Sequence, residues 1–211
     1  MPPTTAAPLD TKTAILDAAE QLFAEQGFES ASLRAITARA GVNLAAVNYH
    51  FQSKESLIAA VFARRLRPIN EARFQLLDAL EAQHPEGPLP LPAVVEAFLR
   101  PLLVTGQTMP TMRALLGQMY SDTSELARRI FREQIGDVVR RFGSAYERSL
   151  PGRSREDIMW GLFFSVGIVA HVLAGEKLVR LISNGACDPA DEEATLRRIV
   201  RFVTAGLEAR P

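Results

Sequence analysis

Lys54 follows Ser53 at what reads as the start of a helix, where a serine hydroxyl accepts from one first-turn N–H and the other backbone donors stay open. An ammonium beside those donors suits a phosphate oxygen, whereas a cation there without an anion is disfavoured by roughly 0.3–1 kcal/mol. Upstream, Ala45 and Ala46 are small enough to let a backbone approach another surface closely. The chemistry indicated is non-covalent recognition of an anionic polymer. Catalysis finds little support, because His50, His84 and His171 lack the spacing of a metal site and neither a phosphate-cradling glycine loop nor a nucleophile elbow is present. The expectation is no catalytic residue, no metal and no cofactor.

Three short elements must position these groups, all within Ser32 to Lys54. Ser32 caps a helix over Leu33 to Ala40, Gly41 ends it by tolerating φ > 0, and Asn43 caps a second helix over Leu44 to His50. Leu44, Val47 and Phe51 suit inward positions, leaving Ala45, Ala46, Asn48 and His50 on the rest of the surface. Two helices joined by a short glycine turn form a helix-turn-helix, whose second helix enters the DNA major groove.

Charge sets a limit on that reading. The chain of 211 residues carries 24 Lys+Arg against 24 Asp+Glu, and its first 67 residues hold seven basic and six acidic side chains. DNA affinity must therefore rest on local contacts, with the acids from Asp17 to Glu29 turned away and Lys12, Arg34 and Lys54 meeting phosphates. The single cysteine, Cys187, excludes an intrachain disulfide and reads as a structural thiol of a reducing cytoplasm. The opening MPPTTAAPLD is no secretory signal, and residues 1–9 are expected to be disordered.

Along the chain, Ile15, Ala18, Ala19, Leu22 and Phe23 make one face of a helix from Thr11, its expected cap, to Gln26. Ser53 to Gln83 is helix-forming, with a kink or break expected near Arg67 because Pro68 removes a backbone donor. A Pro-rich loop spans His84 to Pro92, and helices are expected over Ala93 to Val104, Thr111 to Tyr120 and about Thr123 to Arg148. The last turns Ile130, Phe131, Ile135, Val138, Val139 and Phe142 inward, and its outward arginines, interleaved with acids, read as a solvated face.

Ile158 to Gly175 is an uncharged run of 18 residues, long enough to span a membrane. Its His171, Ser165, three glycines and amphipathic neighbours argue instead for a helix buried between its own core and a second subunit. Paired with the helix over about 190–208, it would build a four-helix homodimer interface over about 156–175 and 190–208, with no membrane partner.

The segments Ile15-Leu-Asp-Ala-Ala-Glu-Gln-Leu-Phe, Gly27-Phe, Ser32-Leu-Arg-Ala-Ile, Ala40-Gly-Val and Tyr49-His-Phe-Gln-Ser-Lys-Glu-Ser-Leu57 closely resemble the TetR family of transcriptional regulators. Gly41 to Phe51 is similar to the fatty-acid-responsive subgroup that contains PsrA. The resemblance implies an all-α protein: a helix-turn-helix DNA-binding domain over 10–65 and a helical effector-binding and dimerisation domain over 66–211. It places Lys12, Ser32, Arg34, Tyr49, His50 and Lys54 at phosphates, although the Tyr49 ring can also pack inward with only its hydroxyl exposed. Asn43, Leu44, Ala45, Ala46 and Asn48 would face the bases, with Asn43 and Asn48 as hydrogen-bonding readers suited to adenine.

An effector pocket is expected where Met109, Met112, Leu116, Met119 and Tyr120 face Trp160, Phe163 and Phe164 across the core. The implied function is a repressor released from palindromic operator DNA by a small apolar effector of the fatty-acid or acyl-CoA type. A lipid- or acyl-carrier with a vestigial helix-turn-helix is the rival reading, and predicts no sequence-selective DNA affinity.

Overall fold

The computed structural model describes residues 10–109, 111, 113–115, 117 and 124–209, and its regular structure among them is helical. Helices α1 (Thr11–Gln26), α2 (Leu33–Ala40) and α3 (Leu44–Phe51) pack on one another and on the first turns of α4 (Lys54–Gln83). Ile15, Ala19, Phe23, Ile36, Val47, Leu57 and Val61 are wholly buried between them, and the Phe28 ring bridges Phe23 and Phe62 at centroid distances of 5.5 and 5.4 Å. Residues at helical spacing thus close a small N-terminal module.

The larger module contains α5 (Leu91–Thr108), α6 (Glu125–Ser149), α7 (Arg155–Ala174), α8 (Glu176–Ile182) and α9 (Glu192–Glu208). Helix α5 sits in its centre, touching α4, α6, α7 and α9, with Phe98 packed on Phe142 at 5.0 Å and the Arg73 guanidinium 4.7 Å over the Phe98 ring. Gly161 lets α7 approach α9 closely, since a Cβ there would stand 2.3 Å from Leu207 Cδ2.

Several boundaries differ from expectation. Helix α4 runs unbroken through Pro68, which costs the Arg64 carbonyl its donor without ending the helix. Helix α5 starts two residues earlier than expected, because a proline in the first turn sacrifices only an N–H that has no intrahelical partner. The cap of α1 is Asp10, not Thr11, and its side chain makes no cap bond. Phe131, expected inward, is 47% exposed on α6, and Cys187, expected to be structural, is an exposed free thiol. Helix α8, which periodicity did not anticipate, buries no residue and exposes Leu178, Leu181 and Ile182. Residues 1–9 lie outside the described residues.

Candidate nucleic-acid interface and regulatory surfaces

Local bonds fix the angle between α2 and α3. Ser32 Oγ accepts from the Ala35 N–H at 3.1 Å, Asn43 Oδ1 from Ala46 at 2.9 Å and Ser53 Oγ from Ser56 at 3.1 Å, so three helices start on side-chain caps. Gly41 adopts φ 67° and the next N–H, on Val42, donates to the Thr37 carbonyl at 3.1 Å. That left-handed residue lets the chain reverse within the few residues between the helices.

Helix α3 turns Val47 and Phe51 inward and leaves Asn43, Ala45, Asn48 and Tyr49 exposed. The Tyr49 ring is 83% exposed and meets the His50 ring edge-on at 5.0 Å, so the inward alternative for Tyr49 is overturned. Leu44, expected inward, is 44% exposed, because as the first residue of α3 it overhangs the edge of the core. Capping occupies the Asn43 carbonyl oxygen and leaves its amide donors for another partner.

Of the seven basic residues before Pro68, three are committed to acids. Arg39 pairs with Glu25 at 2.9 Å, Arg64 with Asp17 at 2.6 Å and with Glu20 at 2.5 Å, and Arg65 with Glu20 at 2.8 Å. Lys12, Arg34 and Arg67 are exposed and make no ion pair among the described residues. Lys54 donates to the Glu29 carbonyl at 2.9 Å, which holds its ammonium beside the start of α4 and leaves two further protons to donate. Beside it, Glu55 is held below the usual carboxylate range by its own backbone N–H and by Ser53, so the first turn of α4 is partly satisfied from within.

Sequence reasoning put Glu20 among acids on a face turned away from DNA; in the structure it is buried. Its carboxylate accepts from Arg64, Arg65 and the Thr111 hydroxyl; burial pushes its pKa up, and the bonds from Arg65 and Arg64 outweigh that and hold it below the ordinary value. The signal was its spacing, since Leu16, Glu20 and Phe23 occupy one helical stripe. Arg73 was missed in the same way: it replaces an apolar side chain in the stripe Leu66, Ile69, Arg73, Leu77, and its Nε donates to the Phe98 carbonyl at 2.8 Å.

The expected effector pocket requires correction. Trp160, Phe163 and Phe164 are 51%, 59% and 57% exposed, because Ile158, Gly161, Leu162, Ser165 and Val169 take the inward stripe of α7. Together with Phe202, 71% exposed on α9 and absent from the sequence reading, Trp160 and Phe164 line a surface groove of about 400 Å³. Met109 lies elsewhere, its sulfur 3.6 Å from Arg65 Nη1, while Met112, Leu116, Met119 and Tyr120 fall outside the described residues. Helix α7 is long and apolar enough to cross a membrane by length and composition, and 28% of its most apolar stretch is buried.

A capped helix-turn-helix on a helical regulatory body defines the class of DNA-binding regulators, and comparison with known proteins narrows it. The pattern of "Bacterial regulatory proteins, tetR family" matches residues 15–61, and that of "Tetracyclin repressor-like, C-terminal domain" matches residues 96–206. The chain belongs to the TetR family of transcriptional regulators.

Among curated proteins it is 45% identical over 51 residues to the HTH-type transcriptional regulator UidR of Escherichia coli (strain K12), covering 24% of this chain and 26% of UidR. It is 31% identical over 135 residues to the HTH-type transcriptional repressor BepR of Brucella suis biovar 1, covering 63% of each. The chain thus matches about a quarter of UidR and under two thirds of BepR. The fold is shared with FadR of Bacillus subtilis in complex with stearoyl-CoA (TM-score 0.65, 12% identity, 92% of this chain and 97% of that one). It is also shared with SmeT in a triclosan complex (TM-score 0.63, 22% identity, 92% and 90%).

Proposed function

We propose that this regulator is a cytoplasmic, homodimeric repressor that two copies of α3 hold on a palindromic operator and that a small apolar effector releases. In this reading the DNA-binding domain covers 10–65 and the effector-binding and dimerisation domain 66–211. Lys12, Ser32, Arg34, Tyr49, His50 and Lys54 meet phosphates, while Asn43, Leu44, Ala45, Ala46 and Asn48 face the bases. The observation that carries it is the outward polar face of α3: Asn43, Asn48 and Tyr49 are exposed on a helix whose opposite side is locked into the core. A backbone held that firmly can present amide donors to base edges without reorganising.

The uncovered aromatic face of α7 and α9 supports the dimer. Exposed rings at Trp160, Phe163, Phe164 and Phe202 are costly to leave in water and suit a second copy related by a two-fold axis. Two copies also supply the second reading helix that a palindrome requires. For the effector, the support is the stearoyl-CoA bound to a fold neighbour, FadR, together with the helical body that both chains share. Release then follows by population shift: the effector binds the non-reading conformer more tightly, and each tenfold loss of DNA affinity takes about 1.4 kcal/mol of coupling. Helix α4, continuous through Arg67-Pro68, is the lever.

An electrophoretic shift on the DNA upstream of the chain's own gene tests this, with stearoyl-CoA added as the first effector probe. A protein-dependent, salt-sensitive shift that Tyr49→Ala or Lys54→Ala weakens is expected. Apolar-ligand binding with no shift on any genomic fragment would favour the carrier reading instead.

A further inference from the structure

Glu20 is the point where three parts of the chain meet. It belongs to α1, whose other face packs on α2, α3 and the start of α4. Its Oε2 accepts from Arg64 Nη2 at 2.5 Å, both oxygens accept from Arg65 Nε at 2.8 Å, and Oε1 accepts from Thr111 Oγ1 at 3.1 Å. The Glu20 side chain is 3% exposed. Arg65 also reaches back to Met109 Sδ at 3.6 Å, so Met109 and Thr111 both touch the cluster.

Arg64 and Arg65 lie on α4, a helix that both modules share, so their bonds to Glu20 do not by themselves report the state of the regulatory body. Thr111 differs. It follows α5, which is packed into the centre of the larger module, and its hydroxyl reaches α1 without passing through α4. Of the bonds converging on Glu20 it is also the one with an uncharged donor and the longest, hence the weakest of them. A buried carboxylate held by discrete, short bonds does not slide; it is either reached by the hydroxyl or not.

We infer that Thr111 is a positioning residue that, through Glu20, sets the orientation of the reading module, so that a shift of Thr111 is felt at α3. This rests on the regulator reading above and names the place at which the regulatory body acts on it. The acceptor at the far end is α1, and α1 moves α3 with it because Ala19, Leu22 and Phe23 share a core with Val47. This contact therefore acts beside the α4 lever, reaching α1 directly.

Hydrogen exchange of the full chain, read at the α1 amides of Ala18 to Phe23, decides this with Thr111→Val and Thr111→Ser compared to wild type. Loss of the hydroxyl should raise α1 exchange by about tenfold, while peptides of α5 and α9 stay unchanged. It should also shift affinity for the DNA that wild type selects from a random pool by at least about threefold. Thr111→Ser, which keeps the donor, should return both readouts to wild-type values. Wild-type α1 exchange in Thr111→Val would overturn the inference, as would equal acceleration in Thr111→Ser. If neither wild type nor variants select any DNA, the regulator reading fails while the exchange data still decide whether Thr111 holds α1.

Discussion

Two of the uncovered surfaces among the described residues differ in kind. The outward side of α3 exposes amides, a phenol and Ala45 around a helix whose first turn is capped, whereas α7 and α9 expose Trp160, Phe163, Phe164 and Phe202. A polar face rests comfortably in water and exchanges that water for phosphates and base edges at little cost. Four aromatic rings do not rest there, and water would be excluded from them by any apolar partner. The first surface is poised for an intermittent ligand and the second for a permanent one.

The comparison breaks most readily at the aromatic face. A Trp160→Glu, Phe164→Glu chain should sediment as a monomer with unchanged helicity, and should lose about a hundredfold or more in affinity for a full operator, because one reading helix then binds alone. Retention of the dimer by this chain would mean that the face serves something else.

The buried junction gives the next largest effect. Glu20→Gln should destabilise the fold by about 3 kcal/mol near neutral pH, read by urea unfolding, since two arginines lose their shared acceptor charge. The carboxyl is depressed relative to its ordinary value of 4.5, so its contribution is complete above that pH and disappears as the pH falls through the lower folded value. Wild type and Glu20→Gln should therefore converge in acid.

At the reading face, Tyr49→Ala and Lys54→Ala should each weaken operator binding about tenfold, Tyr49→Ala without altering unfolding and Lys54→Ala with the loss of its bond to the Glu29 carbonyl, and Lys54→Ala should lower the salt slope by about one. The smallest effect belongs to the cap: Ser32→Ala should cost about 1 kcal/mol of stability, with the loss concentrated in exchange of α2 amides.

How far the sequence reveals this molecule depends on the reach of each interaction. Ser32, Gly41, Asn43 and Ser53 act on residues three or four positions away, so the helix-turn-helix and its exposed asparagines were legible from spacing alone. Helix α7 was legible as an element and illegible as a direction. It is apolar all round, and its inward stripe is marked by small residues, Gly161 and Ser165, which a hydrophobic pattern reads as the weaker side. The aromatics were accordingly sent inward. Glu20 failed for a different reason: its partners lie 44, 45 and 91 residues away, and only the tertiary fold brings Arg64, Arg65 and Thr111 to it.

Both surfaces meet in one measurement. Sedimentation of the protein with the DNA it selects from a random pool, at full-length and half-site fragments, reads stoichiometry and affinity together. Two protomers on a full palindrome, with a half-site bound at least about a hundredfold more weakly, is the expected result. One protomer per fragment, with full and half sites bound equally, would contradict a dimer that the aromatic face assembles and that α3 aims.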